Sequence, residues 1–274
     1  MKIAALVVAR NEELYIRETL KSLLKQTVSI NPIVLVNDGS TDATPKIGKE
    51  LGCHVISLPY HSESYVGKPQ LANVINAGLS YIKENASPDY ILQMGGDHVL
   101  PENYVELIVE RMGDKIKVAS GALKGVRRNK TAALGSGRIV DAHFWDKIGN
   151  LNYPFAWGFE SWLLYKTEIM GYKTRNYGDI MTEGRPVQMS PKKAYCWGRG
   201  MYALGSSPMF ALRRCLIFSY ISPSHGISML SGYLKAHIDR DKRLDVSDYV
   251  VRRQIKIFLS RIKEFLRGII RIWK

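Results

Sequence analysis

Three pairs of polar residues stand directly after runs of aliphatic residues, where their side chains could bind a charged ligand. The pairs are Asn11–Glu12, Asn37–Asp38 and Asp97–His98. Each aliphatic run has the composition of a strand that is covered on both faces of a parallel sheet. In open α/β sheets, ligands bind at the turns that follow the carboxyl ends of strands. We therefore expect the three pairs to lie at one edge of a sheet.

The third pair suits a metal-bound diphosphate. Two glycines precede Asp97, so that backbone and carboxylate can approach a ligand closely, and carboxylate oxygens are preferred ligands of hard divalent cations. Structural alternatives exist for two of the pairs. Asn11 can cap the next helix while Glu12 complements the helix dipole, and Asp97 can cap the helix that follows it. The residue types alone leave these alternatives open.

Strands and helices are predicted to alternate along the part of the chain that carries these pairs. Aliphatic runs predict strands at 3–8, 33–36, 53–58, 89–94 and 115–121. Helical spacing of apolar residues predicts a helix that opens at 10–13 and another that covers 71–79. Gly67 and Lys68 precede the latter helix, where they can meet a phosphate, although the full Gly-rich phosphate loop is missing. The pattern predicts an α/β fold.

The composition limits the class of partner. The chain has 274 residues, 39 Lys and Arg, and 25 Asp and Glu, so its formal charge is +14. This excess favours an anionic partner without naming it. Three widely spaced cysteines predict a reducing compartment and no structural zinc. The apolar run at 3–9 is too short for a signal peptide or a membrane span.

In this order and at these separations, three corners resemble those of glycosyltransferase family 2, the inverting sugar-nucleotide enzymes of the GT-A fold. The corners are Ala9-Arg10-Asn11-Glu12, Val36-Asn37-Asp38-Gly39-Ser40-Thr41-Asp42 and Gly95-Gly96-Asp97-His98. The resemblance covers about residues 1–200. It implies a Rossmann-like, mostly parallel sheet flanked by helices, with residues 201–274 as a helical, basic and amphipathic extension.

The resemblance also implies roles for particular residues. Glu12 and Asp38 would hold the ribose and base of a nucleotide sugar, and Asp97 would hold Mg²⁺ or Mn²⁺ on its diphosphate. The residues expected to contact the nucleotide sugar are Ala9, Asn11, Glu12, Asn37, Asp38, Lys68, Gly96, Asp97 and Arg185. His98 and Glu183 are the further expected metal ligands. The family usually has Asp-x-Asp at the third corner, and this chain has Gly95 in place of the first Asp.

The acceptor side of the family's site is matched in part. Glu160 matches the first acid of its Glu-Asp helix, and Ser161 replaces the second. Inverting transfer needs a carboxylate that takes the proton of the acceptor hydroxyl, so Glu160 is the expected base. Arg185, together with Lys192, Lys193 or Arg199, is expected to neutralise the departing diphosphate.

Most of the positive charge belongs to the C-terminal part. Residues 201–274 contain 14 Lys or Arg and 5 Asp or Glu, which is +9 of the +14. The uncharged segment between Arg214 and Lys235 is interrupted near Pro223, so two shorter helices are predicted there. Residues 249–274 have the pattern of a basic amphipathic helix, which suits an anionic membrane surface. Packing of this helix on protein is the alternative.

The sequence thus predicts a metal-dependent inverting glycosyltransferase, located in the cytoplasm and peripheral on the inner face of the membrane. Its acceptor would be lipid-linked or a membrane-proximal glycan. The alternative is a GT-A-like nucleotide-sugar binding or scaffold protein with weakened catalysis, suggested by Gly95 and Ser161. A sugar-1-phosphate nucleotidyltransferase is disfavoured because its Gly-rich opening loop is missing. Nucleic acid is not expected as a partner, since no zinc spacing or RNA-binding signature occurs.

Overall fold

The computed structural model describes residues 1–126, 130–185 and 188–272, with 261–272 as backbone only. The chain divides into two compact units. The first unit comprises Met1–Phe155 and Lys166–Gln188, and the second comprises Ala156–Tyr165 and Met189–Lys274. The predicted domain division at residue 200 stays a prediction.

The first unit is built on one curled sheet of eight strands. They are β1 (Ile3–Ala9), β2 (Ile30–Asn37), β3 (His54–Ser57), β4 (Tyr90–Gly95), β5 (His98–Val99), β6 (Ile116–Leu123), β7 (Arg138–Asp141) and β8 (Lys173–Gly184). Their order across the sheet is β3-β2-β1-β4-β7-β6-β8-β5. The four strands from β3 to β4 are parallel, whereas β7 is antiparallel to both of its neighbours. The predicted α/β class with a mostly parallel sheet is confirmed.

Helices connect these strands and cover the sheet. They are α1 (Ile16–Leu24), α2 (Thr44–Glu50), α3 (Gln70–Asn85), α4 (Tyr104–Met112) and α5 (Ala142–Gly149). The contact between α3 and the sheet is close, because a Cβ on Gly78 would lie 2.2 Å from the Leu6 side chain and 2.7 Å from that of Val36. Nearly every residue of β1 is buried, as expected for a central strand covered on both faces.

The first helix begins later than the sequence predicts. Asn11 has φ 53°, in the left-handed region, and a turn carries the chain to Ile16, where α1 starts. Asparagine tolerates this conformation better than most residues because its short polar side chain can hydrogen-bond locally. Asn11 is therefore not a helix cap.

The second unit is helical. Its helices are α7 (Pro191–Ala203), α8 (Pro208–Ile221), α9 (Pro223–Ile238) and α10 (Ser247–Ile272), and α6 (Phe159–Ile169) contributes residues to both units. Ser190 and Ser207 cap α7 and α8 by accepting hydrogen bonds from backbone N–H groups of the first turns. The predicted break near Pro223 is present, because α8 ends at Ile221.

Packing in the second unit depends on two close helix contacts. Added Cβ atoms on Gly198 of α7 and Gly232 of α9 would lie 2.0 and 2.1 Å from the other helix's backbone. Met229 and Tyr233 of α9 form part of the small apolar core between these helices. Among the described residues, no helix is long and apolar enough to cross a membrane.

Candidate active site

The sheet register brings the three predicted corners together. Ala9 at the end of β1 is paired with Asn37 at the end of β2, and its neighbour Val8 is paired with Gly95 of β4. The backbone N–H of Asp38 donates to the Ala9 carbonyl at 2.9 Å. The corners thus lie side by side at the carboxyl edge of three adjacent parallel strands, as the sequence predicts.

Side chains tie the first corner to the second. Asn11 Oδ1 accepts a hydrogen bond from the Thr41 backbone at 2.9 Å, and the Asn11 N–H donates to Ser40 Oγ at 2.9 Å. The Glu12 N–H donates to Thr44 Oγ1 at 2.8 Å. Asn11 therefore connects two loops, which fixes the backbone of Glu12 beside the second corner.

A guanidinium group joins the first corner to the third. Arg185 follows β8, and its Nε donates to Asp97 Oδ2 at 2.7 Å. A terminal nitrogen of the same group forms an ion pair with Glu12 Oε1. Its carbon lies 4.7 Å from the centre of the Tyr15 ring. Two carboxylates from different strands thus converge on one cation.

Glu12 is the more enclosed of these two carboxylates. Its side chain is 14% exposed, compared with 29% for Asp97. Its Oε2 atom is buried without a hydrogen-bond partner among the described residues. Burial raises the pKa of Glu12, and the charge of Arg185 opposes that shift. A bound cation or a ligand hydroxyl would satisfy this orphaned oxygen.

A second network holds Asp38. Its side chain is 7% exposed, and Oδ1 lies 2.9 Å from His61 Nε2. The His61 ring stacks on Tyr65 with their centres 3.8 Å apart. Arg10 donates to the carbonyl oxygens of His61 and Glu63. The loop between β3 and α3 is thereby attached to the end of β1, and it positions His61 over the carboxylate expected to bind the base.

Gly96 has a packing role at the third corner. A Cβ at this position would lie 2.7 Å from the Ala9 Cβ and 3.1 Å from Glu12 Cγ. The Gly96 carbonyl accepts a hydrogen bond from Thr19 Oγ1 at 3.0 Å. Only glycine allows the β4 turn to approach β1 this closely. Gly95, at the position of the missing family Asp, donates its N–H to Ser136 Oγ at 2.9 Å.

The predicted set of three metal ligands is not assembled. Asp97 lies in the turn before β5, whereas His98, the first residue of β5, is buried, with Nδ1 2.6 Å from Ser136 Oγ. Burial lowers the pKa of His98 to about 4. Glu183 is exposed on β8 and lies 3.6 Å from Lys124. The described side chains contain no group of three or more His, Cys, Asp or Glu that could hold a metal ion.

The remaining predicted ligand residues have local partners. Asn37 accepts from the Ser40 N–H at 3.1 Å and donates to Ser57 Oγ at 3.2 Å, so it shapes its own turn. Lys68 forms an ion pair with Glu63 in the loop before α3. Their contacts with a nucleotide sugar stay predictions.

Two other predicted residues belong to the second unit. Glu160 lies half-buried in the first turn of α6, and its role as base stays a prediction. Arg199 on α7 forms ion pairs with Asp239 at 2.9 Å and Asp241 at 2.6 Å, and it lies 4.9 Å from the Trp157 ring. These contacts hold Arg199 within the second unit, and its expected role in neutralising the diphosphate stays a prediction.

The family follows from a comparison with known protein families. Residues 4–174 match the model of glycosyl transferase family 2. The chain belongs to this family. The match includes all three corners and spans strands β1 to β7, but it leaves out most of β8, and it confirms the predicted family. The matched segment is therefore a glycosyltransferase domain.

Individual relatives match over shorter stretches. The glycosyltransferase GlyA of Streptococcus pneumoniae is 33% identical over 111 residues, which is 40% of this chain and 15% of that protein. The alignments span between 15% and 40% of the lengths of the curated relatives.

Solved structures of other proteins share the fold. The TarS fragment 1-349 of S. aureus in complex with UDP has a TM-score of 0.54 at 18% identity, covering 87% of this chain and 72% of that one. The mannosyltransferase PcManGT of Pyrobaculum calidifontis, in complex with GDP-Man and Mn²⁺, has a TM-score of 0.60 at 14% identity, covering 94% and 80%. The predicted GT-A fold is thereby confirmed.

Four residues of this site escape sequence reasoning. Arg10 belongs to the first corner, but the sequence predicts no role for its side chain. No sequence pattern indicates that His61, Tyr15 and Ser136 lie at this site. Arg10 and His61 are 51 positions apart, and the loop that holds His61 has no periodic pattern. A basic residue directly after β1, inside an acidic corner, is the one signal that could have indicated a pairing role.

Proposed function

We propose that this family 2 protein transfers a sugar from a nucleotide-diphosphate sugar to a hydroxyl or phosphate of an acceptor, with inversion at the anomeric carbon. The observation that carries the proposal is the convergence of Glu12 and Asp97 on one cation beside Asp38. Two acids around a positive charge, next to a buried acid at the sheet edge, suit a ligand that combines a nucleoside with a metal-bound diphosphate.

The donor would be divided among the three corners. Asp38, oriented by His61, would accept hydrogen bonds from the base, and Glu12 would accept them from the ribose. Asp97 would hold Mg²⁺ or Mn²⁺, because these ions usually bind through one or two carboxylates together with substrate phosphates. When bound, the ion would supply Lewis-acid stabilisation of the departing diphosphate. Two solved neighbours bind UDP or GDP-Man, so a uridine or guanosine donor is supported as a class.

Arg185 would have different partners before and after the donor binds. In the structure it neutralises Glu12 and Asp97. A divalent ion at Asp97 would replace this charge, and the guanidinium would then be free to pair with phosphate oxygens, for which its fork geometry is suited. Neutralising the leaving diphosphate lowers the barrier only if the interaction strengthens as the sugar–phosphate bond breaks.

The transfer itself would be a single displacement. The acceptor oxygen attacks the anomeric carbon, a carboxylate takes its proton, and the bond to the diphosphate breaks with its electron pair on the leaving oxygen. Glu160 is the proposed base. It is supported by its position at the start of α6, where the family resemblance places an acidic helix.

The acceptor and location are part of the same proposal. We assign residues 1–200 to donor binding and catalysis, and 201–274 to an extension at the inner face of the cytoplasmic membrane. The described part of α10 supports this, because Ile255, Phe258 and Leu259 are more than half exposed on a basic helix. The acceptor would then be linked to lipid or be a glycan near the membrane.

A second candidate is a binding or scaffold protein without transfer activity. It is favoured by Gly95, which leaves the third corner with one acid, and by the arginine that already neutralises that acid. Such a protein would bind a nucleotide without requiring a metal.

A thermal-shift screen separates the two candidates. UDP, GDP, dTDP and CMP sugars are each added with and without Mn²⁺ or Mg²⁺ to wild type, Asp97→Ala and the matched control Asp114→Ala. Asp114 is exposed at the amino end of β6. A ligand that binds only the native state raises the melting temperature. We expect a metal-dependent shift for one donor in wild type and the control, and its loss in Asp97→Ala. A metal-independent shift in all three proteins would favour the scaffold.

A further inference from the structure

Helix α8 of the second unit leaves most of its apolar side chains uncovered. It buries Ala211 and Cys215, whereas six large apolar residues are exposed. These are Met209, Leu212, Leu216, Ile217, Tyr220 and Ile221, with exposed fractions between 48% and 95%. Soluble monomers rarely expose a continuous apolar patch of this kind without a partner. We call these six residues the α8 face.

Helix α9 adds a second stripe. Ile227, Leu234 and Ile238 are between 52% and 74% exposed, and they recur at helical spacing, while Met229 and Tyr233 on the same helix are buried. The uncovered residues of α8 and α9 are therefore not the consequence of a missing core. That core is present on the opposite side of α9, against α7.

Basic residues predominate along α7 to α9, and the acids that follow, Asp239 and Asp241, are paired with Arg199. Residues 189–238 contain six Lys or Arg and no Asp or Glu. Arg213 and Arg214 are exposed on α8, and Arg214 lies 5.9 Å from the Trp197 ring and 5.8 Å from the Phe218 ring. Neither arginine forms an ion pair with a described residue. At helical spacing, Arg213 lies among the residues of the α8 face and Arg214 lies at its edge. Long arginine side chains that extend from an apolar surface suit the boundary between acyl chains and anionic headgroups.

We propose that the α8 face, with the stripe on α9, inserts into the interfacial layer of an anionic lipid bilayer. With 14 residues, α8 is about 21 Å long, which is too short to cross a hydrocarbon core of about 30 Å. The helix would therefore lie in the plane of the interface, with its apolar side chains among the acyl chains. Arg213 lies within the same face, and its long side chain would extend the guanidinium back to the headgroups. The inference rests on the membrane location proposed above, and it assigns insertion to an element other than α10.

The test compares binding of full-length variants to vesicles by co-sedimentation. The vesicles contain phosphatidylcholine alone or phosphatidylcholine with phosphatidylglycerol, at low and high salt. The α8 variant carries Leu216→Ser and Tyr220→Ser. The matched control carries Leu24→Ser and Ile169→Ser, which are exposed apolar residues of the first unit. A third variant, Arg252→Glu with Lys256→Glu, reverses charge on α10.

We expect wild type and the matched control to bind the anionic vesicles equally. The α8 variant should bind the anionic vesicles at least about tenfold more weakly than wild type, because two large apolar side chains no longer leave water on binding. High salt should weaken the electrostatic contribution of α10 to vesicle binding. Wild type should then keep a residual binding to the vesicles, which the α8 variant should lack. Undiminished binding of the α8 variant would overturn the inference. A wild-type dimer that the α8 variant converts to a monomer would also overturn it, because a second copy would then cover the face.

Two controls keep this result separate from the proposed transfer. The melting temperature of each variant shows whether it is folded. If Leu216→Ser with Tyr220→Ser unfolds the protein, the double variant Ile217→Ser with Ile221→Ser takes its place. The donor-induced thermal shift is measured on the same samples. For the α8 variant, we expect a loss of vesicle binding together with an unchanged donor-induced thermal shift. Vesicle binding without any donor shift in wild type would contradict the proposed function and leave the inference standing.

Discussion

Arg185 Nε lies 2.7 Å from Asp97 Oδ2, and the same guanidinium pairs with Glu12. In the absence of ligand, the positive charge that the two acids require comes from the protein. Burial is the largest single influence on the pKa of Arg185 and lowers it, but the hydrogen bonds to Asp97 and Glu12 and their charges together raise that pKa above its usual value. A divalent ion bound at Asp97, as proposed, would therefore compete with Arg185 for this carboxylate.

Removal of Arg185 should increase the affinity for metal in the absence of donor. In Arg185→Ala, Asp97 loses a charge-assisted hydrogen bond, and because the arginine is half exposed we expect roughly three- to tenfold tighter Mn²⁺ binding. Transfer should nevertheless become slower, because the leaving diphosphate loses a cation. Electron paramagnetic resonance of free Mn²⁺ measures the affinity. Unchanged Mn²⁺ affinity in this variant would show that the arginine does not compete with the metal.

Substitution of Gly96 should disturb the third corner. A Cβ 2.7 Å from the Ala9 Cβ forces the turn away from β1, and overpacking of this kind costs about 1–3 kcal/mol. Gly95→Ala is the matched control, since its nearest neighbour would lie 3.3 Å away. Urea unfolding of both variants measures the cost. Equal stability of the two variants would contradict the close approach of β4 to β1.

The native thiols should react slowly. Burial raises the pKa of Cys53 to about 11, and burial also raises the pKa of Cys215. At pH 8 about one Cys53 in a thousand would be a thiolate. The folded thiol keeps its proton to about pH 11 and the unfolded thiol only to pH 9.0, so the folded state binds more protons in this range. This thiol therefore favours unfolding as pH rises from 9 to 11.

Ellman's reagent tests this prediction directly. We expect all three cysteines to react rapidly in denaturant and slowly in the native protein, because all three are buried. A fast native phase that disappears in Cys53→Ala would contradict the raised pKa. In stability measurements, Cys53→Ala should also lose part of the decline between pH 9 and 11.

Arg199 should stabilise the second unit. Its side chain is 13% exposed and pairs with Asp241, which is 14% exposed, so Arg199→Ala leaves a carboxylate largely out of water. We expect a loss of about 2 kcal/mol in the free energy of unfolding. The matched control Lys192→Ala removes an exposed charge from the same helix. A loss of donor affinity without a loss of stability would instead assign Arg199 to diphosphate binding.

The fold was predicted well where strands are aliphatic and central. Strands β1, β2 and β4 have continuous apolar runs because helices cover both of their faces. Strand β8 is not predicted, since Lys173–Gly184 begins with four polar residues and contains no such run. Strand β5 has two residues, too few for any periodic signal.

The site was predicted in part for a related reason. Strand ends in a parallel sheet meet at one edge, so the meeting of Glu12, Asp38 and Asp97 follows from the strand pattern alone. The expected set of metal ligands stays a prediction, and no local pattern indicates that the buried His98 ring contacts Ser136, 38 positions away. The ion pair between Arg185 and Glu12 spans 173 positions, and no local pattern in the sequence indicates it.

The most direct test of the donor-site account is an anomalous difference map from crystals soaked with Mn²⁺ and the nucleoside diphosphate selected by the thermal-shift screen. We expect one strong peak within about 2.1–2.3 Å of an Asp97 carboxylate oxygen. The Arg185 guanidinium should have left Asp97 and should contact the diphosphate. The account would be contradicted by a nucleotide bound at Asp38 while Asp97 holds no manganese and still pairs with Arg185.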